Sequence, residues 1–333
     1  MTQTLNCPDI RGFNYQPSYG STSLENWLSF DEQVFELELR RGKQFFPEMN
    51  TIRTWLSWDA FIRNPEKFAE NFERSLQIAD SLGLVTVPIL FNRWHDADLD
   101  CGGIYFDHFM PGWSWLTRLE WEKKQDDLFG NYLDIVVGRH IEDARILYWD
   151  ICNEPFSYML SPEEVPSEVE AAEYAWLERM SLRCRRLGAT QPIGISVHAK
   201  HGRRGLERIA PLSDILMIHP YYPGPSDDEA QKQEFTKLLD EYVAVSVETG
   251  KPLLATETCW GGSEDDEWRV TNIHFTLSEL KKRGIGWTVH LLHHSLVADA
   301  HRSPYGPVAD CGYFAFIEAD GSLRKGHEVF NIY

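Results

Sequence analysis

Two short segments of the sequence each place a glutamate at the end of an apolar run. Glu154 lies in Asp-Ile-Cys-Asn-Glu-Pro (150–155), and Glu257 lies in Thr-Glu-Thr (256–258). A facing pair of carboxyl groups can divide the cleavage of a glycosidic bond, because one protonates the departing oxygen while the other attacks the anomeric carbon or activates water. An ion pair that only stabilises the fold is the alternative. Glu154 and Glu257 are therefore candidate catalytic residues, provided that the fold brings them together.

The pattern of the whole chain predicts a fold that brings Glu154 and Glu257 close together. Short apolar, β-branched runs alternate with longer amphipathic stretches, which is typical of repeated strand–helix units around a parallel sheet. Eight runs are present, at residues 11–15, 49–55, 84–90, 146–151, 192–197, 215–218, 252–256 and 285–289. This count predicts a (β/α)8 (TIM) barrel that forms one catalytic domain over residues 1–333. Catalytic side chains of such barrels lie at the carboxyl ends of the strands, so glutamates after strands four and seven would converge on one mouth.

Helix signals fill the stretches between these runs. Asn64 is placed to cap a helix that begins at Pro65, and an apolar stripe follows as far as Gly83. Residues 161–188 repeat this arrangement, and residues 200–213 leave room only for a short helix.

The net charge of the chain limits the classes of molecule that it is expected to bind. The chain has 32 Lys and Arg against 51 Asp and Glu, a formal net charge of -19. Such a field repels nucleic acid, anionic membranes and polyanionic substrates unless a local basic patch intervenes. We therefore expect a neutral substrate, without a nucleic-acid or membrane partner; whether the chain forms a homo-oligomer is left open.

The sequence gives little indication of export or of metal binding. The N-terminus shows no basic segment followed by an apolar stretch, and 18 apolar residues never run together. The six cysteines are dispersed without a CxxC pair, which favours reduced thiols over a disulfide framework or a zinc site. The expectation is a soluble, cytoplasmic protein that needs neither a metal nor another cofactor.

Two further segments would border the mouth of the barrel. The longest irregular stretch, residues 92–117, follows the third run and is rich in aromatic side chains such as Trp113, which suit a sugar-stacking wall. The segment after the eighth run, which includes His294, is rich in histidine. We expect both to line a substrate site; in each case a loop stabilised by its own contacts is the alternative.

The two glutamate segments resemble the clan A glycoside hydrolases, particularly the cellulase-like group around family 5. In that group an Asn-Glu-Pro motif on strand four holds the acid/base, and a strand-seven glutamate is the nucleophile. The resemblance covers nearly the whole chain and implies a retaining cleavage of β-glycosidic bonds, with Glu154 as acid/base and Glu257 as nucleophile. Their carboxyl groups should then lie about 5 to 5.5 Å apart.

The resemblance also implies a set of supporting residues. Arg53 matches the strand-two arginine that supports the nucleophile, and Asn153 matches the residue that binds the substrate 2-hydroxyl. His219 and Tyr221 match the strand-six pair, with Tyr221 touching the nucleophile. A cation and a hydroxyl donor would keep Glu257 ionised, whereas an acid/base glutamate needs a raised pKa.

The resemblance assigns two further substrate contacts. Trp287 looks like the strand-eight platform beneath the sugar at the cleaved position, since an indole offers a flat apolar face to a pyranose. His95 matches a histidine found after strand three. For Trp287 the alternative is a tryptophan that only fills the barrel.

Other readings of the same sequence remain open. A metal-dependent barrel hydrolase would place ligands such as His198 and His219 after strands five and six, but strand one (12–16) lacks the usual His-x-His pair. A carbohydrate-binding barrel without turnover is a second rival. Within the enzyme class, an exo-acting enzyme on oligosaccharides or glycosides is favoured over an endo-β-1,4-glycanase of the xylanase, mannanase or cellulase type. The sequence does not identify the sugar.

Overall fold

Eight parallel strands close into a barrel in the computed structural model of the protein, which describes residues 6–92, 118–157, 167–222, 224, 228–259, 265–299 and 312–333. The strands are β1 (Arg11–Asn14), β2 (Thr51–Trp55), β3 (Val85–Asn92), β4 (Trp149–Asn153), β5 (Ile193–His198), β6 (Ile215–His219), β7 (Leu253–Ala255) and β8 (Gly286–Val289). Each strand pairs with the next, and β8 returns to pair with β1. The predicted (β/α)8 barrel is confirmed.

Helices alternate with these strands. In the described ranges they are α1 (Ser23–Leu28), α2 (Glu32–Phe45), α3 (Trp58–Arg63), α4 (Pro65–Ser81), α5 (Arg118–Val136), α6 (Ser167–Leu187), α7 (Gly202–Ile209), α8 (Glu229–Thr249), α9 (Asp266–Lys282) and α10 (Leu296–Asp299). The Asn64 side chain caps α4 by accepting a hydrogen bond from the Lys67 backbone N–H, and Gly83 follows this helix with a φ of 71°. The helix predicted within 161–188 is α6, and the short helix predicted after β5 is α7.

The buried residues divide into a large apolar core and a polar group near the carboxyl ends of the strands. Large apolar side chains such as Phe13, Trp149 and Trp176 are buried in the core, where each stabilises the fold by about 1.5–3 kcal/mol. Near the mouth the buried side chains are instead polar or charged, and they include Asn14, Arg53, Asp150, Asn153 and Ser196. Buried polar groups destabilise a fold unless they are hydrogen-bonded. Their presence at this end of the barrel therefore indicates a functional site.

The described cysteines pack as small apolar side chains. Cys7, Cys152, Cys184 and Cys259 are all buried, and none of these four forms a disulfide bond. Burial raises the pKa of Cys184 and that of Cys259 to about 12, so both thiols stay protonated. Separately, none of the helices within the described ranges has the length and apolar character to cross a membrane.

Candidate active site

The two predicted glutamates meet at one mouth of the barrel. Glu154 directly follows β4, Glu257 lies two residues beyond β7, and each is only 4% exposed. One carboxylate oxygen from each, together with a ring nitrogen of His219, all lie within 4.8 Å of one another. Inverting glycosidases need carboxyl groups about 6.5–9.5 Å apart to leave room for water. The close approach of these oxygens is that of a retaining pair.

The backbone holds Glu154 in an unusual conformation. Its φ is 51°, in the left-handed region that a residue with a side chain seldom adopts, and Phe156 has a φ of 62°. A hydrogen bond of 3.0 Å from the Glu154 N–H to the Ser196 carbonyl ties this turn to β5. Strain of this kind is found at functional sites, where neighbouring contacts hold it in place.

Two donors hold the carboxylate of Glu257. Arg53 Nη1 donates to Oε1 at 2.6 Å, and the Tyr221 hydroxyl donates to Oε2 at 2.5 Å. Burial, followed by the charge of Glu257, raises the pKa of Tyr221 well above its ordinary value, so this hydroxyl keeps the proton that it donates. Arg53 and Tyr221, the two predicted supporting residues, therefore both donate hydrogen bonds to Glu257.

Arg53 is the centre of a buried ion network. Its guanidinium is fully buried and donates to Asp150 Oδ2 at 2.8 Å, to Asn153 Oδ1 at 2.7 Å and to Asn14 Oδ1 at 2.9 Å. Burial alone would lower its pKa, but the charges of Asp150 and Glu257 outweigh that effect and raise it. Arg53 is therefore a fixed cation that orients the nucleophile and neighbouring groups.

Glu154 has the environment of an acid. Burial raises its pKa, against the opposing effects of His198, Arg53 and Lys200. His219 Nδ1 lies 2.6 Å from Glu154 Oε1, and its Nε2 lies 3.1 Å from Thr256 Oγ1. Burial lowers the pKa of His219 to about 3, so the ring is neutral near pH 7. A neutral imidazole can accept from the carboxylic acid or, as the other tautomer, donate to the carboxylate, which suits a residue that changes protonation during the reaction.

Asn153 ends β4 beside this pair. Its Oδ1 accepts from Arg53, and its Nδ2 donates to Asn92 Oδ1 at 3.0 Å. These contacts fix the amide near Glu154, where the resemblance places a contact to the substrate 2-hydroxyl. That contact to substrate stays a prediction.

The structure does not bring Trp287 to the mouth. Trp287 is the second residue of β8 and pairs with Arg11, the first residue of β1, at the amino end of the barrel. The ring is fully buried, the Arg11 guanidinium carbon lies 3.8 Å from its centroid, and the Tyr333 ring packs nearby. A sugar platform needs an open face at the carboxyl end, so this assignment is wrong. The residue that lies at the mouth is His290, which directly follows β8 and whose Nδ1 lies 3.9 Å from Glu257 Oε2.

Three predicted substrate contacts remain, namely His294, His95 and Trp113. His294 follows β8, with Nε2 3.5 Å from Asp299 Oδ2 and Nδ1 3.3 Å from the Tyr313 hydroxyl. Its role in substrate binding stays a prediction. His95 and Trp113 lie outside the described residues.

Besides His290, Asp150 and His198 lie at the site although they were not predicted as catalytic or substrate-binding residues. Asp150 shares Arg53 with Glu257, and it belongs to the motif that pointed to Glu154. His198 ends β5 and accepts a hydrogen bond on Nδ1 from the Lys200 N–H at 3.0 Å, which leaves its Nε2 as the protonated nitrogen. Its ring lies against Tyr221, with a centroid distance of 5.8 Å.

The described residues offer two groups of three side chains close enough to hold a metal ion, and neither is well suited to it. In Glu154, His219 and Glu257, both oxygens of Glu257 already accept hydrogen bonds from Arg53 and Tyr221. In Glu73, His140 and Asp143, Arg145 donates to both carboxylates. The donor sets therefore favour ion pairing and acid–base chemistry.

The barrel, the close glutamate pair and the buried arginine define a retaining glycoside hydrolase. The chain belongs to the cellulase family, glycosyl hydrolase family 5, whose sequence model matches residues 46–295. This membership makes a carbohydrate the substrate class. A comparison with curated proteins found no match.

Solved structures share this fold at low sequence identity. GH5_18 from Streptomyces cattleya, in complex with Manβ1-4GlcNAc, has a TM-score of 0.73 and 17% identity over 97% of this chain and 79% of that chain. An exo-β-1,4-mannosidase from Opitutaceae bacterium strain TAV5 has a TM-score of 0.72 and 18% identity over 96% of this chain and 58% of that chain. An endo-1,4-β-D-mannanase from Thermotoga petrophila has 0.65 and 14%, over 97% and 98%. At these identities the likeness concerns the fold.

Proposed function

We propose that the protein is an exo-acting retaining β-glycosidase that removes a terminal β-mannosyl unit from a neutral oligosaccharide or glycoside. The close approach of Glu154 and Glu257 carries the retaining chemistry, with carboxylate oxygens within 4.8 Å of one another. The choice of sugar and the mode of attack depend on further observations.

The wall beside Trp55 supports the exo mode. Trp55 ends β2, and its ring lies edge-on to His290 with a centroid distance of 5.7 Å. Behind it, Trp27 on α1 donates its Nε1–H to the Trp55 carbonyl at 2.7 Å. More aromatic side chains line the same region, namely Tyr15, Tyr19, Phe30 and Phe35. We infer that this packed aromatic wall closes the β1 and β2 side of the site, where an enzyme with an open cleft would need room for additional sugar units.

The similar structures support mannose as the sugar. One holds Manβ1-4GlcNAc, one is an exo-β-1,4-mannosidase, and one is an endo-1,4-β-D-mannanase. A β-mannoside is also neutral, as the net charge of -19 favours. The second candidate is an endo-β-1,4-mannanase, which the likeness to the Thermotoga petrophila enzyme favours.

The first chemical step forms a covalent glycosyl-enzyme. Glu257 Oε2 attacks the anomeric carbon while the carboxylic acid of Glu154 gives its proton to the glycosidic oxygen, and the bond between that oxygen and the carbon breaks. The raised pKa of Glu154 keeps it protonated to a higher pH than an ordinary carboxyl group, and only the protonated form supports this step. Arg53 retains its contact with Oε1 throughout and so fixes the direction of attack.

The second step reverses these roles. The Glu154 carboxylate now takes a proton from water, the water oxygen attacks the anomeric carbon, and Glu257 leaves as a carboxylate. Two inversions at one carbon give a product with the β configuration of the substrate. His219, neutral and 2.6 Å from Glu154, keeps a hydrogen bond to it in both protonation states.

A panel of 4-nitrophenyl glycosides in both anomeric forms tests the proposed substrate. We expect the β-mannoside to be hydrolysed with a kcat/KM at least about tenfold above that of the β-glucoside or β-galactoside, and the α-anomers to be inert. With mannotetraose, the exo mode predicts mannose as the first small product.

The same panel separates the alternatives. Cleavage of mannotetraose to mannobiose without release of mannose, and without hydrolysis of the aryl mannoside, would establish the endo mode instead. Thermal stabilisation by mannosides without hydrolysis of any substrate would contradict the enzymatic proposal. The Glu257→Ala variant, prepared in parallel, shows whether measured hydrolysis belongs to this protein.

A further inference from the structure

His290 occupies the position at the mouth that Trp287 does not reach. It directly follows β8, and its backbone N–H donates to the Thr258 carbonyl at 2.9 Å. The ring is almost fully buried, and Nδ1 lies 3.9 Å from Glu257 Oε2. Tyr221, two residues beyond β6, donates to the same oxygen. His290 therefore stands beside the nucleophilic oxygen, with a nitrogen facing it.

Two aromatic rings fix the plane of His290. Trp55 packs at 5.7 Å and an interplanar angle of 76°, and Phe314 packs at 5.2 Å and 63°. Both contacts are edge-to-face arrangements, which aromatic rings favour. The two ring contacts therefore restrain the orientation of the imidazole.

Arg269 on α9 binds the backbone at His290 and at Phe314. Its guanidinium is fully buried, and Nη2 donates to the His290 carbonyl at 2.9 Å and to the Phe314 carbonyl at 3.1 Å. Its Nε and Nη1 have no hydrogen-bond partner among the residues that the structure describes. Burial lowers the pKa of Arg269 to about 10, so the side chain is still a cation near neutral pH. Burying a cation with only carbonyl partners opposes folding, which indicates that its position serves the segments it joins.

We propose that His290 is a specificity-determining residue that hydrogen-bonds a hydroxyl of the sugar at the cleaved position, and that Arg269 is the positioning residue that holds it there. An imidazole at this position offers a directional hydrogen bond, whereas an indole platform would offer an apolar face. A site built to hydrogen-bond a substrate hydroxyl discriminates against an analogue that lacks this hydroxyl. This inference rests on the proposed glycosidase function.

Monodeoxy substrates test the role of His290. The wild-type protein and the His290→Phe variant are compared on an aryl β-mannoside and its 2-, 3-, 4- and 6-deoxy analogues. Phenylalanine keeps a ring between Trp55 and Phe314 but removes both nitrogens. We expect one deoxy analogue to lose about tenfold or more in kcat/KM with the wild-type protein, and this penalty to shrink to about twofold in His290→Phe. That analogue identifies the hydroxyl. If all four penalties are the same in both proteins, the role of His290 is refuted.

Arg269 requires a readout beyond loss of activity. Arg269→Met keeps apolar volume and removes the donors, and Arg269→Lys keeps a cation in case the first variant does not fold. We expect either variant to reduce the same deoxy penalty that His290→Phe reduces, and to have no further effect on that penalty in the His290→Phe background. Additive effects in the double variant would overturn the positioning role.

Arg324 provides a matched control. It is a buried arginine of the same region that donates to the Tyr313 carbonyl and to Asp266. We expect Arg324→Met to lower thermal stability but leave the deoxy penalties unchanged. Wild-type protein that hydrolyses no glycoside would refute the proposed function itself, whereas hydrolysis with unchanged penalties refutes only the role of His290.

Discussion

Replacing Glu257 with alanine is expected to lower kcat/KM on every β-glycoside by roughly 10⁵-fold. Without its carboxylate the covalent intermediate cannot form, so a better leaving group should not restore activity. The measurement compares 4-nitrophenyl and 2,4-dinitrophenyl glycosides with the wild-type and variant proteins. Folding is checked by thermal unfolding, since removal of Glu257 also removes a partner of Arg53.

Glu248→Ala is the matched control for this prediction. Glu248 lies on the exposed surface of α8 and pairs with Arg203. We expect this variant to retain wild-type turnover. A Glu257→Ala protein that stays folded and keeps turnover within tenfold of the wild-type value would remove Glu257 from the catalytic role.

Replacing Arg53 with alanine is expected to reduce both turnover and stability. The variant loses the donor at 2.6 Å that orients Glu257 and leaves Asp150 as a buried, unpaired carboxylate. Breaking a buried ion pair destabilises a fold by about 3–5 kcal/mol, and losing a group that positions the nucleophile lowers turnover about 10²- to 10³-fold. Urea unfolding and steady-state kinetics measure the two effects separately.

Arg53→Lys separates the charge of Arg53 from its geometry. Lysine keeps a cation for Asp150 but lacks the planar fork that reaches Glu257, Asp150 and Asn153 together. We expect Arg53→Lys to recover more of the free energy of unfolding than of the turnover. An Arg53→Ala protein with normal stability and near wild-type kcat would contradict the role assigned to this residue.

Much of this site could be predicted because strand order and chemistry constrain each other. Eight apolar runs fix the barrel, and a barrel places residues after strands four and seven at the same mouth. Arg53 and Tyr221 were predicted from the resemblance to family 5, and both lie within hydrogen-bonding distance of Glu257. Residues whose role depends on strand end and residue type together were therefore within reach of the sequence.

Trp287 shows where prediction from the sequence fails. The run at 285–289 correctly predicts β8, but an apolar run does not show how far along the strand each side chain lies. Trp287 pairs with the first residue of β1, so it belongs to the amino end of the barrel, and His290 reaches the mouth. The residue type of Trp287 is suitable for a sugar platform. However, the register of β8 against β1 determines the end of the barrel at which its side chain lies. The hydrogen bonds from Arg269 to the His290 and Phe314 carbonyls likewise depend on the packing of α9 beside β8, which the amino-acid composition alone does not show.

The configuration of the product formed by Glu154→Ala with azide tests the division of labour between the two glutamates most directly. With an activated aryl β-glycoside, the first step needs no proton from Glu154, so the glycosyl-enzyme on Glu257 should accumulate. Azide should then attack the anomeric carbon in place of the water that the missing base no longer activates, restoring turnover and giving a β-glycosyl azide. Formation of the α-glycosyl azide by Glu154→Ala would make Glu154 the nucleophile and contradict the assignment.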